Sequence, residues 1–143
     1  IYMVDDKTPG IELEMAPLVA GVRVKMALDR VMVNKETGEK FIVDLKTGKN
    51  NPRTGLQLGF YAYGLRKAYG IDVGTGYYWN ARKVELSEPF DLADYTDSKI
   101  ETLVSMFDRA RKSGIFLPNY DSCGMCGYTA SCLWYVKKEK DEQ

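Results

Sequence analysis

The chain has 143 residues and a formal net charge of zero, because 20 Lys and Arg side chains balance 20 Asp and Glu side chains. This length can bury one core, so we expect a single domain over residues 1–143 that lacks its N-terminal part, since it opens with Ile1 in a strand-like segment. The balanced charge does not by itself indicate a nucleic-acid partner. No apolar run is long enough for a membrane span and no signal segment opens the chain, which predicts a soluble, cytoplasmic protein without a membrane partner.

The first half of the chain predicts three strands, at residues 11–20, 21–33 and 41–47. The second and third strands flank a polar segment that contains Gly38, so we predict that they form a β-hairpin. If Val33 faces Lys40, counting back along both strands places Asp29 opposite Asp44.

Residues alternate between the two faces of a strand, so Asp44 and Lys46 point to one face while Val43 and Leu45 point to the other, into a core. Facing side chains on neighbouring strands are about 5 Å apart at Cβ. Two carboxylates at that separation repel unless a cation or proton intervenes. Asp29 and Asp44 therefore predict a divalent metal site, with the positive charge of Lys46 beside it.

A loop and then a helix at residues 55–69 follow, and Thr54 is placed to cap this helix. The apolar residues of the helix recur with a period of about 3.6. Gln57 and Tyr61 are four residues apart and share one helix face. In an alternative interpretation, Tyr61 is a core aromatic residue with a hydrogen-bonded hydroxyl group.

The rest of the chain predicts strands at residues 73–80 and 84–86 and a second helix at residues 94–113. We assign this helix to packing, because residues 98–101 fit a capping box and an apolar stripe follows. The stripe consists of Ile100, Leu103, Val104, Phe107 and Ala110, and the outer face carries Asp108, Arg109, Arg111 and Lys112. Residues 136–143 are mostly charged and are expected to fray.

The segment between positions 47 and 83 is basic, with Asp72 as its one acidic residue. It contains Lys49, Arg53, Arg66, Lys67, Arg82 and Lys83. A basic surface beside an acidic pair favours binding of a phosphate backbone. For Arg66 and Lys67, a solvated helix face is an equally good interpretation.

Three cysteines, Cys123, Cys126 and Cys132, lie within ten residues of one another near the C-terminus. In a chain without His, this clustering favours a metal over disulfides. Tetrahedral zinc and iron–sulfur clusters need four ligands, so one ligand is missing. Three reduced thiols are the alternative, and zinc with a fourth ligand other than Cys is disfavoured because the chain has no His.

Asp29, the sequence Asp44-Leu45-Lys46, and Gln57 with Tyr61 together resemble the PD-(D/E)XK nuclease superfamily. The likeness is closest to its RecB-like branch, which includes nuclease domains of recombination helicase-nucleases, CRISPR-adaptation exonucleases and phage exonucleases. The resemblance implies an α/β (α+β mixed) fold, with a central mixed β-sheet flanked by helices in a restriction-endonuclease-like core. Iron–sulfur members of this branch share the cysteine spacing and take a fourth cysteine from upstream. The resemblance therefore implies a [4Fe-4S] cluster at the three cysteines, and a cysteine-containing C-terminal staple at residues 120–135 that joins this segment to the N-terminal region.

The resemblance also implies roles for the site residues. Asp29, Asp44 and the Leu45 carbonyl would bind Mg²⁺ or Mn²⁺, and Lys46 would stabilise charge at the scissile phosphate. Gln57 and Tyr61 would contact DNA or support the lysine. The branch often has a further upstream carboxylate, for which Glu12 and Glu14 are candidates, and an upstream His, which this chain lacks.

The expected function is thus a metal-dependent DNA nuclease, an exonuclease acting on a DNA end or single strand in recombination, repair or phage DNA processing. A helicase or recombination protein is an expected partner. Two alternatives stay open. One is a catalytically inactive nuclease-like module that binds DNA or a helicase, and the other is a small metal-stabilised interaction domain.

Overall fold

The computed structural model describes residues 1–135, and the predicted frayed segment 136–143 lies outside the described part. The chain divides into two compact units, one that ends at Asp108 and one that begins at Arg109. The described elements are β1 (Ile11–Met15), β2 (Leu18–Val19), β3 (Val22–Arg23), β4 (Met26–Val33), β5 (Lys40–Lys46), α1 (Leu56–Tyr69), β6 (Thr75–Asn80), β7 (Glu85–Leu86), β8 (Phe90–Asp91), α2 (Asp97–Lys112) and a 3-10 helix (Tyr120–Met125). Within residues 1–135, the helices are too short or too polar to cross a membrane.

A six-stranded mixed sheet forms the centre of the first unit, in the order β1-β4-β5-β6-β7, with β8 also paired to β6. β4 and β5 are antiparallel, and Gly38 in their connecting turn has a φ of 74°, a conformation that glycine adopts without strain. β5 and β6 are parallel. Parallel neighbours need a crossover connection, and α1 supplies it. The predicted fold class, with its central mixed sheet and helices, is confirmed.

Helix α1 lies on the sheet and buries one side against it. Leu58 and Leu65 are fully buried and pack with Ile42 of β5 in the main core. Gly59 allows a close approach, because a Cβ at this position would lie 2.8 Å from the Cβ of Tyr95. The helix begins after Gly55 without a side-chain cap, so the prediction that Thr54 caps it is wrong.

Three strand predictions needed correction. The segments 11–20 and 21–33 each divide in two, at residues 16–17 and 24–25, and β2 turns back onto β3 at Ala20 and Gly21, whose φ angles are 47° and 80°. β8 was not predicted. The face assignment of β5 was wrong: Leu45 is 42% exposed, whereas Asp44 is 2% exposed. The core lies on the Asp44 face, because α1 crosses over that face, and an alternating strand does not by itself reveal which face a helix covers.

Helix α2 begins later than predicted. Lys99 N–H donates to Thr96 Oγ1 at 3.3 Å, so Thr96 takes the capping position that we assigned to a box at residues 98–101. The buried side chains are Ile100, Val104 and Asp108. Their spacing of four residues defines a narrow row, which leaves Phe107 72% exposed and places Asp108 on the buried side, contrary to prediction.

Candidate active site

The β4–β5 pairing places Asp29 beside the end of β5. The predicted register is confirmed, since Arg30 faces Val43. Beyond this pair, the strands are joined by a side-chain hydrogen bond, in which the Leu45 N–H donates to Asp29 Oδ2 at 2.7 Å. The Asp29 carboxylate therefore lies next to the segment that contains Asp44.

The strands are distorted at Asp29. Leu28 and Val31 are both fully buried although they are three residues apart, so side-chain alternation is interrupted between them. Opposite this point on β1, Glu12 has a φ of 47°, in the left-handed region. Such conformations at residues other than glycine concentrate at functional sites. The interruption puts Asp29 on the same face as Val31, which is the face that α1 covers.

Asp44 is a buried carboxylate. Burial raises its pKa above the usual value, the negative charge of Asp29 adds to the rise, and the contact with positively charged Lys46 opposes it. Asp44 Oδ2 lies 2.6 Å from Lys46 Nζ in an ion pair. The angles at this contact are not those of a hydrogen bond, so Oδ2 has no hydrogen-bond partner among residues 1–135. The ammonium charge of Lys46 offsets the burial of this oxygen, whose lone pairs can also accept a metal cation.

Lys46 is held from three sides. Besides its contact with Asp44, its Nζ donates to Gln57 Oε1 at 2.7 Å. It also lies 5.4 Å from the ring centroid of Tyr78, within the range of a cation–π contact. The side chain is 24% exposed, so solvent reaches it from the remaining side.

Gln57 and Tyr61 share one face of α1, as predicted, and this face covers the acidic pair. Gln57 Nε2 donates to Tyr61 Oη at 2.8 Å and to Asp44 Oδ1 at 3.3 Å. With its Oε1 on Lys46, one amide therefore connects three site residues. Burial raises the pKa of Tyr61, so its hydroxyl stays protonated at neutral pH. Tyr61 is also part of the main core, so the alternative interpretation of this residue describes its packing correctly.

Two site residues, Tyr78 and Asn80, were missed in the sequence. Both lie on β6, where Tyr78 faces Asp44 and Asn80 faces Lys46 in the parallel register. Tyr78 donates its hydroxyl to the Thr54 carbonyl at 3.0 Å. Burial, with a smaller effect of the Asp44 charge, raises the pKa of Tyr78 to about 12. The sequence did contain a signal for these two residues. Tyr78 and Asn80 carry polar groups at alternate positions of an aromatic strand, a pattern that predicts buried side chains with hydrogen-bond partners.

The donor set fits a hard divalent cation. Asp44 Oδ2 is buried without a hydrogen bond, and Asp29 lies beside it. A strand residue points its N–H and C=O to the same side. Because the Leu45 N–H faces Asp29, the Leu45 carbonyl faces that side as well. Two carboxylates and a carbonyl suit Mg²⁺, which usually completes its shell with water and substrate phosphates.

A third carboxylate is not brought to this pair. Within residues 1–135, no group of three or more Asp, Glu, Cys or His side chains could hold a metal ion. Glu12 and Glu14, the candidates for a further upstream ligand, are exposed on β1.

A family model of the PD-(D/E)XK nuclease superfamily matches residues 4–133. The chain belongs to this superfamily. PD-(D/E)XK nucleases are hydrolases that act on nucleic acid, and they generally use divalent metal ions, in agreement with the donor set described above. The match covers the paired carboxylates, the lysine and the cysteine segment.

The chain is also similar to the Gene 69 protein of Mycobacterium phage D29. The two are 32% identical over 139 residues, which cover 92% of this chain and 51% of the phage protein. The chain thus spans about half the length of the curated relative that it matches.

The six basic residues between positions 47 and 83 of this PD-(D/E)XK chain divide into two groups. Arg66 and Lys67 lie 2.9 Å and 2.8 Å from carboxylate oxygens of Asp97, so they take part in packing between α1 and α2. The charges of these two residues are therefore paired within the protein, so neither a phosphate-binding surface nor a solvated helix face describes them. The remaining four basic residues, Lys49, Arg53, Arg82 and Lys83, are exposed and follow the ends of β5 and β6.

The three cysteines lie in the second unit and are free. Cys123 is in the 3-10 helix and half-buried, while Cys126 and Cys132 are exposed. In the described part of the chain, their sulfur atoms are not gathered into a metal-binding group. The iron–sulfur cluster stays a prediction that rests on the spacing of these residues.

Proposed function

We propose that this chain is a metal-dependent nuclease domain that hydrolyses phosphodiester bonds in DNA. The observation that carries the proposal is the buried Asp44 carboxylate, which lies beside Asp29 and contacts Lys46 Nζ at 2.6 Å. Asp29, Asp44 and the Leu45 carbonyl are the proposed ligands of Mg²⁺ or Mn²⁺. Such an ion, when bound, neutralises charge on phosphoryl oxygens and acidifies a water molecule.

The side chains around the proposed metal ligands have separate roles. Lys46 supplies a fixed positive charge to the phosphoryl group, whose negative charge grows in the transition state. Gln57 holds the Lys46 ammonium group through Oε1 and fixes Asp44 through Nε2. Tyr61 orients the Gln57 amide by accepting a hydrogen bond from its Nε2. Gln57 and Tyr61 therefore act chiefly by positioning Lys46 and Asp44.

The finer proposal is an exonuclease of the RecB-like type that acts in recombination, repair or phage DNA processing. Similarity to a phage protein supports the last of these settings. A helicase or recombination partner and a cytoplasmic location belong to the same proposal. Comparison of linear and covalently closed circular DNA tests exonuclease action, because an exonuclease degrades only the linear form.

The test of the reaction measures degradation of end-labelled DNA with Mg²⁺, with Mn²⁺ and with chelator. We expect metal-dependent cleavage that is lost in Asp44→Asn and in Lys46→Ala. Lys35→Ala is the matched control, because Lys35 is exposed in the turn at the opposite end of β5. Full activity in both site variants would refute the assignment. Salt-sensitive DNA binding without cleavage in any divalent metal would favour the inactive binding module.

A [4Fe-4S] cluster at Cys123, Cys126 and Cys132 is proposed from their spacing, with a fourth ligand from elsewhere. Iron and sulfide content of the anaerobically purified protein tests it directly. Absence of both from active protein would leave the three residues as reduced thiols.

A further inference from the structure

Asn80 joins the two loops that follow β5 and β6. Its side chain is fully buried at the end of β6. On one side, its Nδ2 donates to the Gly48 carbonyl at 3.2 Å and to Asn51 Oδ1 at 3.0 Å. On the other side, its Oδ1 accepts from the backbone N–H groups of Arg82 at 3.1 Å and Lys83 at 3.0 Å. Two donors and two acceptors account for the full capacity of an amide, so this side chain is saturated between the loops.

The two loops extend from the active-site edge of the sheet. Because β5 and β6 are parallel, both strands end at the same edge. The loop after Lys46 and the turn after Asn80 therefore start side by side, and the Ala81 N–H donates to the Lys46 carbonyl at 2.8 Å. Any charge on these loops is carried close to the proposed catalytic lysine.

Both loops present positive charge that the protein itself does not neutralise. Lys49 and Arg53 on the first loop and Arg82 on the second are exposed, and none of the three forms an ion pair within residues 1–135. Lys83 has one weak partner, Glu85, at 3.5 Å. This differs from Arg66, which contacts two carboxylates. Exposed cations without internal partners favour binding to phosphates.

The turn after β6 is held in a strained conformation. Val84 has a φ of 55°, which is disfavoured for a β-branched residue, and its side chain is 72% exposed. No burial of Val84 compensates for this strain. The two hydrogen bonds from Arg82 and Lys83 to Asn80 stabilise the turn and orient its basic side chains.

We propose that the two loops form one binding surface for the nucleic-acid backbone, with Asn80 as the residue that fixes their relative position. The surface consists of Lys49, Arg53, Arg82 and Lys83. It rests on the proposed nuclease function and identifies where the phosphates flanking the scissile bond are bound. Asn80 contacts no substrate and acts through the loops.

The test measures the salt dependence of binding to a labelled DNA duplex in chelator, where cleavage is absent. The slope of log K against log salt is negative, and each phosphate contact that is lost reduces its magnitude by about 0.9. For Lys49→Gln combined with Arg82→Gln, we expect the magnitude of the slope to decrease by about 1.8. The affinity should decrease equally for DNA of any base sequence, because phosphate contacts do not read the bases. Lys7→Gln combined with Lys35→Gln removes the same charge from exposed positions elsewhere and should leave the slope unchanged.

The same variants separate this proposal from the proposed function. With Mg²⁺, loss of the loop charges should raise KM about tenfold or more while kcat changes by less than about threefold, since phosphate contacts position the substrate. An unchanged slope and KM in a protein that still cleaves DNA would overturn the surface and leave the nuclease assignment standing. A slope of smaller magnitude in the variant, together with a wild type that cleaves no DNA, would support the surface and refute the nuclease assignment.

Asn80→Asp tests the role of the amide itself. It keeps the size and the acceptor for the turn but replaces both Nδ2 donors, so the first loop is released and KM should rise with little change in kcat. Asn51→Ala removes one of the same hydrogen bonds from a less buried position and gives a second readout if Asn80→Asp does not fold. If Asn80→Asp folds and has the wild-type KM, the positioning role is refuted. If Asn80→Asp does not fold, a wild-type KM in Asn51→Ala refutes it instead.

Discussion

Gln57→Leu removes the side chain that connects Lys46, Asp44 and Tyr61 while keeping a similar volume. Its strongest hydrogen bond is the 2.7 Å contact from Lys46 Nζ, a charged donor. Bonds of this kind contribute about 1.5–3 kcal/mol. Because Lys46 is 24% exposed, the lower end of that range applies. A loss of about 1.4 kcal/mol in transition-state stabilisation corresponds to tenfold in rate, so we expect kcat to fall about tenfold.

Tyr61→Phe provides the comparison that isolates this network. It removes one neutral hydrogen bond of 2.8 Å to Gln57, which corresponds to about 1 kcal/mol and a fall of about fivefold in kcat. If the Tyr61 hydroxyl acts through the Gln57 amide, adding Tyr61→Phe to the Gln57→Leu variant should lower kcat little further. The two effects would then be non-additive, as expected for residues in one hydrogen-bond network.

The assay is the initial rate of degradation of end-labelled DNA at saturating Mg²⁺ for the wild type, both single variants and the double variant. We expect the double variant to be within about twofold of Gln57→Leu, with KM changed less than kcat in each. Additive losses would show that Tyr61 acts independently of Gln57. A Gln57→Leu protein with wild-type kcat would refute the conclusion that this amide positions Lys46.

Three further predictions concern the metal site, the charge pairs and the core. Mg²⁺ or Mn²⁺ at 100 times its dissociation constant should stabilise the wild type against thermal unfolding by about 2.7 kcal/mol, and equal stabilisation of Asp44→Asn would argue against this ligand. Lys67, and to a lesser extent Arg66, lower the pKa of Asp97 below its usual value of 3.8, so its contribution is present above that value and is lost as pH falls through the lowered pKa. Because Asp97 is 41% exposed, urea unfolding at neutral pH should find Asp97→Asn less stable by only about 0.5 kcal/mol, a difference that vanishes in strong acid. Gly59→Ala should lower the free energy of unfolding by about 1–3 kcal/mol, whereas Gly74→Ala, where a Cβ meets open space, should change it by less than about 0.5 kcal/mol.

The local pattern of the chain was enough to predict the hairpin and its register. Gly38, in a polar segment between two β-favouring segments, leaves few ways to pair β4 with β5. Counting back from Val33 opposite Lys40 then places Arg30 opposite Val43, as observed. The shared helix face of Gln57 and Tyr61 also follows from spacing alone, because residues four apart on a helix are neighbours. These features depend on contacts between residues that are close in the sequence.

Only the tertiary structure determined which face of β5 is buried and which residues complete the site. An alternating strand has two possible inner faces, and the crossover of α1 placed Asp44 inside and Leu45 outside. Tyr78 and Asn80 reach the site because β6 lies parallel to β5 across that same crossover.

The sequence by itself determined the register of Asp29 and Asp44, the position of Lys46 on β5 and the helix face that Gln57 and Tyr61 share, since each depends on strand alternation, turn geometry or helical period. The basic residues between positions 47 and 83 were visible in the sequence, but their division was not. Arg66 and Lys67 have carboxylate partners from a distant helix, whereas Lys49 and Arg82 are brought together at one sheet edge. Packing between elements far apart in the chain decides which charges are neutralised internally and which stay available to a ligand.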